Sequence, residues 1–282
     1  MRRGWRYAIA GLVGLPVAGV PQMRVAVNIP AYRVDVFIAD SVARSMPVAV
    51  GRSDFRTPRG NFAITSIEWN PWWIPPDSPW AADERPMGPG PGNPMGRVKL
   101  NFRPLYFLHG TPVEASIGSA ASHGCIRMLN ADAIELARFV HQFGSPAMTA
   151  GDIERLVQDT VRSRTIQIEQ PVPLEVRYDL VELRDGRVTV YRDIYRLATR
   201  PLRAEVYDVL TLHGIDTALV DLARLDTLVR RVATRGNSVA LDSLVRAGVP
   251  PGPVPPIVSL RQQGARSTGS PKSDPLYCRG SP

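Results

Sequence analysis

Eight of the chain's 27 prolines fall between residues 69 and 96, and this stretch restricts the fold more than any other. Proline fixes φ and donates no backbone hydrogen bond, so neither a helix nor a central strand runs through such a segment. The same stretch holds Trp69, Trp72, Trp73 and Trp80, four of the five tryptophans. Side chains with that much apolar area seek a surface to pack on, which argues against a solvated coil. The segment therefore reads as an ordered loop, either packed over a core or standing as a wall or lid beside a substrate.

The sequence on either side is strand-like. Val25, Val27 and Ile29, then Val34, Val36 and Ile38, then Met46, Val48 and Val50 recur at every second position, as in half-buried strands. Thr57-Pro58-Arg59-Gly60 supplies a turn, and residues 62–67 are rich in β-branched and aromatic types. Val98 and Leu100, then residues 105–108, continue the pattern beyond the loop. A helix is predicted to open with Asn130 as its N-cap, to bury Ala133, Leu136, Ala137 and Val140, and to stop at Gly144. Leu174, Val176, Tyr178 and Leu180 then alternate, and Asp185-Gly186 marks a hairpin turn before Val188 and Val190. The expected class is mainly β with helices (α+β). The expected divisions are a leader at 1–20, a body at 21–200, a small helical extension at 201–248 with an apolar stripe from Val206 to Val232, and a Pro-rich flexible tail at 249–282.

Charge narrows the partners. The 282 residues carry +8, from 34 Lys+Arg against 26 Asp+Glu, yet only Lys99 and Lys272 are lysines. The excess lies at the two ends and leaves the body near neutral, so no nucleic-acid-binding face is implied. Arg2, Arg3 and Arg6 precede an apolar stretch at 9–20, too short for the ~20 residues of a membrane span, and the pair reads as an export signal. No later apolar run is long enough to span a bilayer, and export from the cytoplasm is expected. Two cysteines, Cys125 and Cys278, exclude a disulfide-dense scaffold and a zinc site built from Cys pairs.

Chemistry concentrates between His109 and Asn130. His109 ends a predicted strand, and sixteen residues later Cys125 stands within Ser122-His123-Gly124-Cys125-Ile126-Arg127. An isolated cysteine is commonly a small buried hydrophobe. Beside an imidazole that takes its proton, the thiol is a nucleophile, and the amides around Gly124 and Cys125 suit an oxyanion hole. Metal ligation by His109, His123 and Cys125 is a third use of the same atoms. His141 and His213 lie in helix-like segments and read as ordinary packing residues.

The hexapeptide from Ser122 to Arg127, with His109-Gly110 upstream, resembles the signature of the L,D-transpeptidase catalytic domain (YkuD type). Thr57-Pro58-Arg59-Gly60, Asn93-Pro94-Met95-Gly96 and Ile117-Gly118 match further elements, over residues 25–170. Residues 171–195 look like the closing segment of the larger murein L,D-transpeptidases. The resemblance implies a β-sandwich catalytic domain, without metal or cofactor, acting on peptidoglycan stem peptides. It makes Cys125 the nucleophile and His109 the proton acceptor and donor. Gly110 would orient His109 through its carbonyl, a role that tolerates any side chain, and Gly124 would lend a backbone amide to the oxyanion hole. Ser122, His123 and Arg127 would line the substrate site. The acceptor separates a transpeptidase from an L,D-carboxypeptidase that uses water; a non-catalytic wall-binding protein of the same fold is the contrasting expectation.

Overall fold

The computed structural model describes residues 22–230, 232–233 and 236–245. The leader at 1–20, the tail at 249–282, Cys278 and the last residues of the extension lie outside the described residues.

Nine strands form one sheet: β1 (Met23–Asn28), β2 (Arg33–Ile38), β3 (Ser41–Gly51), β4 (Gly60–Trp69), β5 (Val98–Arg103), β6 (Tyr106–Thr111), β7 (Ala120–Ser122), β8 (Ile126–Leu129) and β9 (Arg164–Arg177). Their order is β2-β1-β9-β4-β5-β6-β8-β3-β7, and β3 pairs with β2 as well. The long β3 is the closure: Ser41–Pro47 lie along β2, while Val48 and Ala49 pair with Met128 and Arg127 of β8. A register shift at Val36/Phe37 marks a bulge of the kind that bends a strand and tightens its twist. The sandwich architecture is thus made from one continuous sheet folded over its own core. Most neighbours run antiparallel, but β1–β9, β6–β8 and β3–β7 are parallel.

The alternating positions read from the sequence face that core. Val25, Val27, Val34, Val36, Met46, Val48 and Val50 are buried with Ile64, Leu100, Leu108 and Ile126, each burial worth roughly 1.5–3 kcal/mol. Helix α1 (Asn130–Gly144) covers one end with Ala133, Leu136, Ala137 and Val140, and α2 (Ala150–Gln158) follows, opened by a Thr149/Asp152 capping box. Asn130 differs from expectation. Leu129 holds the cap position without a side-chain hydrogen bond. The Asn130 side chain turns outward instead, its Oδ1 accepting from the Arg97 amide at 2.9 Å and its Nδ2 donating to the Thr111 carbonyl at 3.3 Å.

A second apolar cluster gathers the C-terminal residues. Strands β10 (Val181–Arg184) and β11 (Arg187–Val190) form the hairpin expected at Asp185-Gly186, where both residues adopt positive φ. A third strand, β12 (Asn237–Ala240), pairs with β11 inside the stretch that reads as helical. Four residues are too few for an alternating pattern to stand out beside the leucine stripe of the neighbouring helices. Helices α3 (Leu202–Leu212), α4 (Leu222–Arg230) and α5 (Leu241–Leu244) complete the unit, packing Val206, Leu210, Leu225 and Leu244 with Val181, Leu183, Val188 and Val190. The hairpin therefore buries its apolar face with the extension rather than with the body. Arg33 joins the two clusters by holding both carboxylate oxygens of the buried Glu182, and Arg184 reaches Asp35 at 2.9 Å. Between β11 and α3 the chain turns back to the first core, where Tyr195 is 1% exposed.

Candidate active site

His109 lies on β6 in a row that crosses the sheet: Glu68 of β4 faces Lys99 of β5, Lys99 faces His109, and His109 faces Arg127 of β8. Residues paired across strands project to one face, so the imidazole stands between two cations. Lys99, 2% exposed, is ion-paired with Glu68. His109 Nδ1 is 2.7 Å from the Gly110 carbonyl oxygen, which only an N–H can approach. That bond leaves Nε2 as the unprotonated nitrogen. Burial above all, then the charges of Arg127 and Lys99, push the His109 pKa down to about 3 against the opposing pull of the Gly110 carbonyl. The ring is a neutral base at any physiological pH.

Cys125, 2% exposed, ends the turn that leads into β8. Ser122 Oγ braces this turn, accepting from the Gly124 amide at 3.1 Å and donating to the Cys125 carbonyl. Ser122 lines the cavity with His123 and Arg127 and also holds the backbone of the turn. One expectation changes: the Gly124 N–H meant for an oxyanion hole is engaged by that hydroxyl. Gly124 has φ +104°, and a Cβ there would stand 2.8 Å from the Tyr106 ring, so the position demands glycine for both reasons. Its carbonyl accepts from Thr57 Oγ1 at 2.9 Å, and Thr57 Oγ1 accepts from the Gly51 amide at 2.9 Å. Tyr195 then donates to the Gly51 carbonyl at 2.7 Å and accepts from the Thr57 amide at 3.1 Å.

Gly110 also departs from expectation. A side chain there is not tolerated freely, because a Cβ would lie 2.1 Å from Asn130 Oδ1, which the Arg97 amide holds in place. Gly96 presses from the other side, its own Cβ position 2.5 Å from the Gly110 carbonyl carbon. Asn130 and Gly96 thus fix the carbonyl that orients His109. Neither role is legible from spacing alone, although Gly96 stands in a stretch that matches the family pattern.

The Pro/Trp segment forms the wall of a cavity of about 310 Å³ that takes in His109, His123, Cys125 and Arg127 together with Trp73 and Trp80. Asn93, fully buried, holds the segment in shape: Nδ2 donates to the carbonyls of Pro71, Met87 and Gly88 at 2.8–3.2 Å, and Oδ1 accepts from the Met95 amide at 2.8 Å. His123 is clamped at the edge. Trp80 stacks on it with centroids 4.0 Å apart, Phe55 meets it edge-on at 4.7 Å, and Arg52 Nη2 is 3.2 Å from its Nε2. Guanidinium nitrogens only donate, so Nε2 is the acceptor, and partial burial followed by the charge of Arg52 lowers the pKa of this ring too. Among the described residues no three His, Cys, Asp or Glu side chains converge as metal binding requires. His141 is buried and accepts from Trp69 Nε1 at 3.0 Å, while His213 Nδ1 donates to the Val209 carbonyl at 2.8 Å.

The family pattern described as YkuD, L,D-transpeptidase catalytic domain, matches residues 22–166. The putative L,D-transpeptidase YkuD of Bacillus subtilis strain 168 is 35% identical over 128 residues, and its Bacillus licheniformis namesake is 34% identical over 118. These alignments take in 45% and 42% of this chain and span 66% and 59% of the relatives' own lengths. A putative L,D-transpeptidase, YqjB of B. subtilis, is 26% identical over 57% of this chain and 88% of its own. A solved L,D-transpeptidase from Mycobacterium smegmatis superimposes with a TM-score of 0.37 at 18% identity, over 56% of this chain and 59% of that one. With its family match running over half its length, the chain belongs to the L,D-transpeptidase catalytic domain family.

Proposed function

We propose that this protein is an exported L,D-transpeptidase that acts on peptidoglycan stem peptides through a cysteine acyl-enzyme. The observation that carries the reading is a buried imidazole, neutral and with Nε2 unprotonated, in the same walled cavity as a buried thiol. Cys125 Sγ attacks the carbonyl of the bond between an L-centre and the terminal D-alanine, while His109 Nε2 takes the thiol proton. A C–S bond forms. The C–N bond then breaks, and D-alanine leaves with the proton that His109 returns. In the second half an acceptor amine attacks the thioester, and its surplus proton passes through His109 to the departing thiolate. Each half begins and ends with a neutral imidazole, which suits a site whose burial disfavours a standing charge. The Pro/Trp wall limits water around the thioester and so favours an amine as acceptor over hydrolysis. Arg127 lines the cavity, where its positive charge favours a carboxylate of the donor stem. The leader at 1–20 supports export to the compartment that holds this substrate.

The test is mass spectrometry of tetrapeptide muropeptides incubated with the purified protein. Release of D-alanine with cross-linked or exchanged stems is the expected outcome, and Cys125→Ala should abolish it while the protein keeps its fold. Turnover retained in that variant would refute the mechanism, and tripeptides as the sole product would assign water as the acceptor.

A further inference from the structure

A second concavity, of about 990 Å³, opens beside the cysteine cavity. Its rim carries four arginines: Arg52 and Arg56 from the loop after β3, and Arg192 and Arg196 from the segment between β11 and α3. Two acids lie among them, and both are engaged. Asp54 is 3.3 Å from Arg52, and Asp193 accepts from the amides of Leu197 and Ala198 and from the Tyr178 hydroxyl at 2.7–2.8 Å. Arg56 uses its Nε on the Ser53 carbonyl, and no carboxylate among the described residues lies within ion-pair distance of Arg56, Arg192 or Arg196. The groove therefore sets four guanidiniums against two carboxylates, an excess of positive charge in a body that is otherwise near neutral. Arg196 holds φ +55°, a conformation that non-glycine residues seldom adopt, with Asp193 fixing the backbone on both sides of it. The groove and the cavity share a wall. His123 lines the cavity, and on its other side Arg52 contacts its Nε2, while the Arg52 amide donates to the Ser122 carbonyl at 3.0 Å.

We propose that this groove seats the acceptor: an acidic peptide held by its free carboxylates on Arg56, Arg192 and Arg196, with its amine directed past His123 toward the acyl group on Cys125. The assignment rests on the transpeptidase reading. Carboxylate recognition is what guanidinium forks do best, and a groove adjoining the nucleophile places the second substrate where the acyl group forms. Arg192 and Arg196 lie beyond the stretch that matches the family pattern, so this chain's own C-terminal segment would define which acceptor is used.

Calorimetric titration of the Cys125→Ala protein keeps binding separate from turnover. The probe is the tripeptide L-Ala-γ-D-Glu-diaminopimelate, compared with the same peptide capped as amides at its carboxylates. Arg192→Ala/Arg196→Ala should weaken the free acid about tenfold or more, equivalent to ~1.4 kcal/mol. The capped peptide should bind as weakly to the starting protein as the free acid does to the double variant. The free-acid affinity should also fall as salt is raised. Equal affinity in the double variant at an unchanged melting temperature, or equal affinity for the capped peptide, overturns the proposal. So does tight binding of inorganic polyphosphate that the tripeptide fails to displace, since the groove would then serve an anionic polymer. D-alanine release by the unsubstituted protein is a separate measurement: its absence would remove the transpeptidase reading, while the titration would still decide whether the groove holds an acidic peptide.

Discussion

On the proposed mechanism, the proton affinity of His109 decides how Cys125 is prepared for attack. With its pKa pushed down to about 3, the imidazole has lost its proton throughout the physiological range, so the proposed mechanism starts from a neutral base beside Cys125. Acylation should therefore show no ascending limb near pH 6.5, the ordinary titration of an imidazole. A stopped-flow profile of D-alanine release that is flat between pH 5 and 7 fits this; a tenfold rise per unit with a midpoint near 6.5 would contradict it. Lys99 contributes through its charge from the next strand, with Glu68 balancing it. Removing both charges, as Lys99→Met/Glu68→Gln, should raise the His109 pKa and carry any acidic limb upward, which NMR titration of the ring can follow. Gly124→Ala is expected to cost more than an average core change. It forces a methyl against Tyr106 and a side chain into φ +104°, so activity should fall by two orders of magnitude or more even where the protein still folds.

Among the elements, the segment from Tyr191 to Leu197 has consequences out of proportion to its length. It carries no regular structure, yet Tyr195 supports Gly51 and Thr57, and Thr57 in turn holds the carbonyl of Gly124 beside Cys125. On the proposed mechanism Tyr195 is a positioning residue, since its hydroxyl reaches Cys125 only through that turn. Tyr195→Phe leaves a buried amide and a buried carbonyl unsatisfied, at ~1–3 kcal/mol. The expected result is a fall in kcat of about tenfold with KM nearly unchanged. A purely structural role would lower the melting temperature and leave kcat per folded molecule intact, so the two measurements together decide. The strands that surround the site could be read from alternation, because each is half buried and its own pattern is the signal. Tyr195 could not, since 138 residues separate it from the Thr57 amide that it accepts from. Asn130 shows the same limit: next to an apolar helical face it looks like a cap, and only the approach of Arg97 and Thr111 reveals its other use. The cysteine turn was legible because its chemistry is local in sequence. The part of its brace that comes from Thr57 and Tyr195 is not.

At the scale of the whole molecule, burial of histidines makes stability depend on pH. His109 stays neutral down to about 3 and His141 to about 4, the latter because of burial, whereas the unfolded chain takes up these protons near 6.5. Below 6.5 the unfolded state therefore binds more protons. Stability is fully present above that value and drains away as the pH falls, at ~1.4 kcal/mol per unit for each ring. The melting temperature should hold from pH 8 to 7 and decline from 6.5 to 5. In His141→Gln, which keeps an acceptor for Trp69 Nε1, the decline should be shallower. A melting temperature that does not change between pH 7 and 5 would count against both shifts. The placement of β9 has a further consequence, for the order in which the molecule can be completed. β1 has β2 on one side and β4 has β5, and on the other side the residues of β9 beyond 166 supply all of the pairing with β1 and most of that with β4. A growing chain that has emerged only to the end of the family match leaves those two strands as open edges, with unpaired amides and carbonyls exposed to other chains. Whatever shields this protein from self-association must act until β9 arrives, and the same late strand leads on to the hairpin and to Tyr195, so closure of the sheet comes before completion of the site.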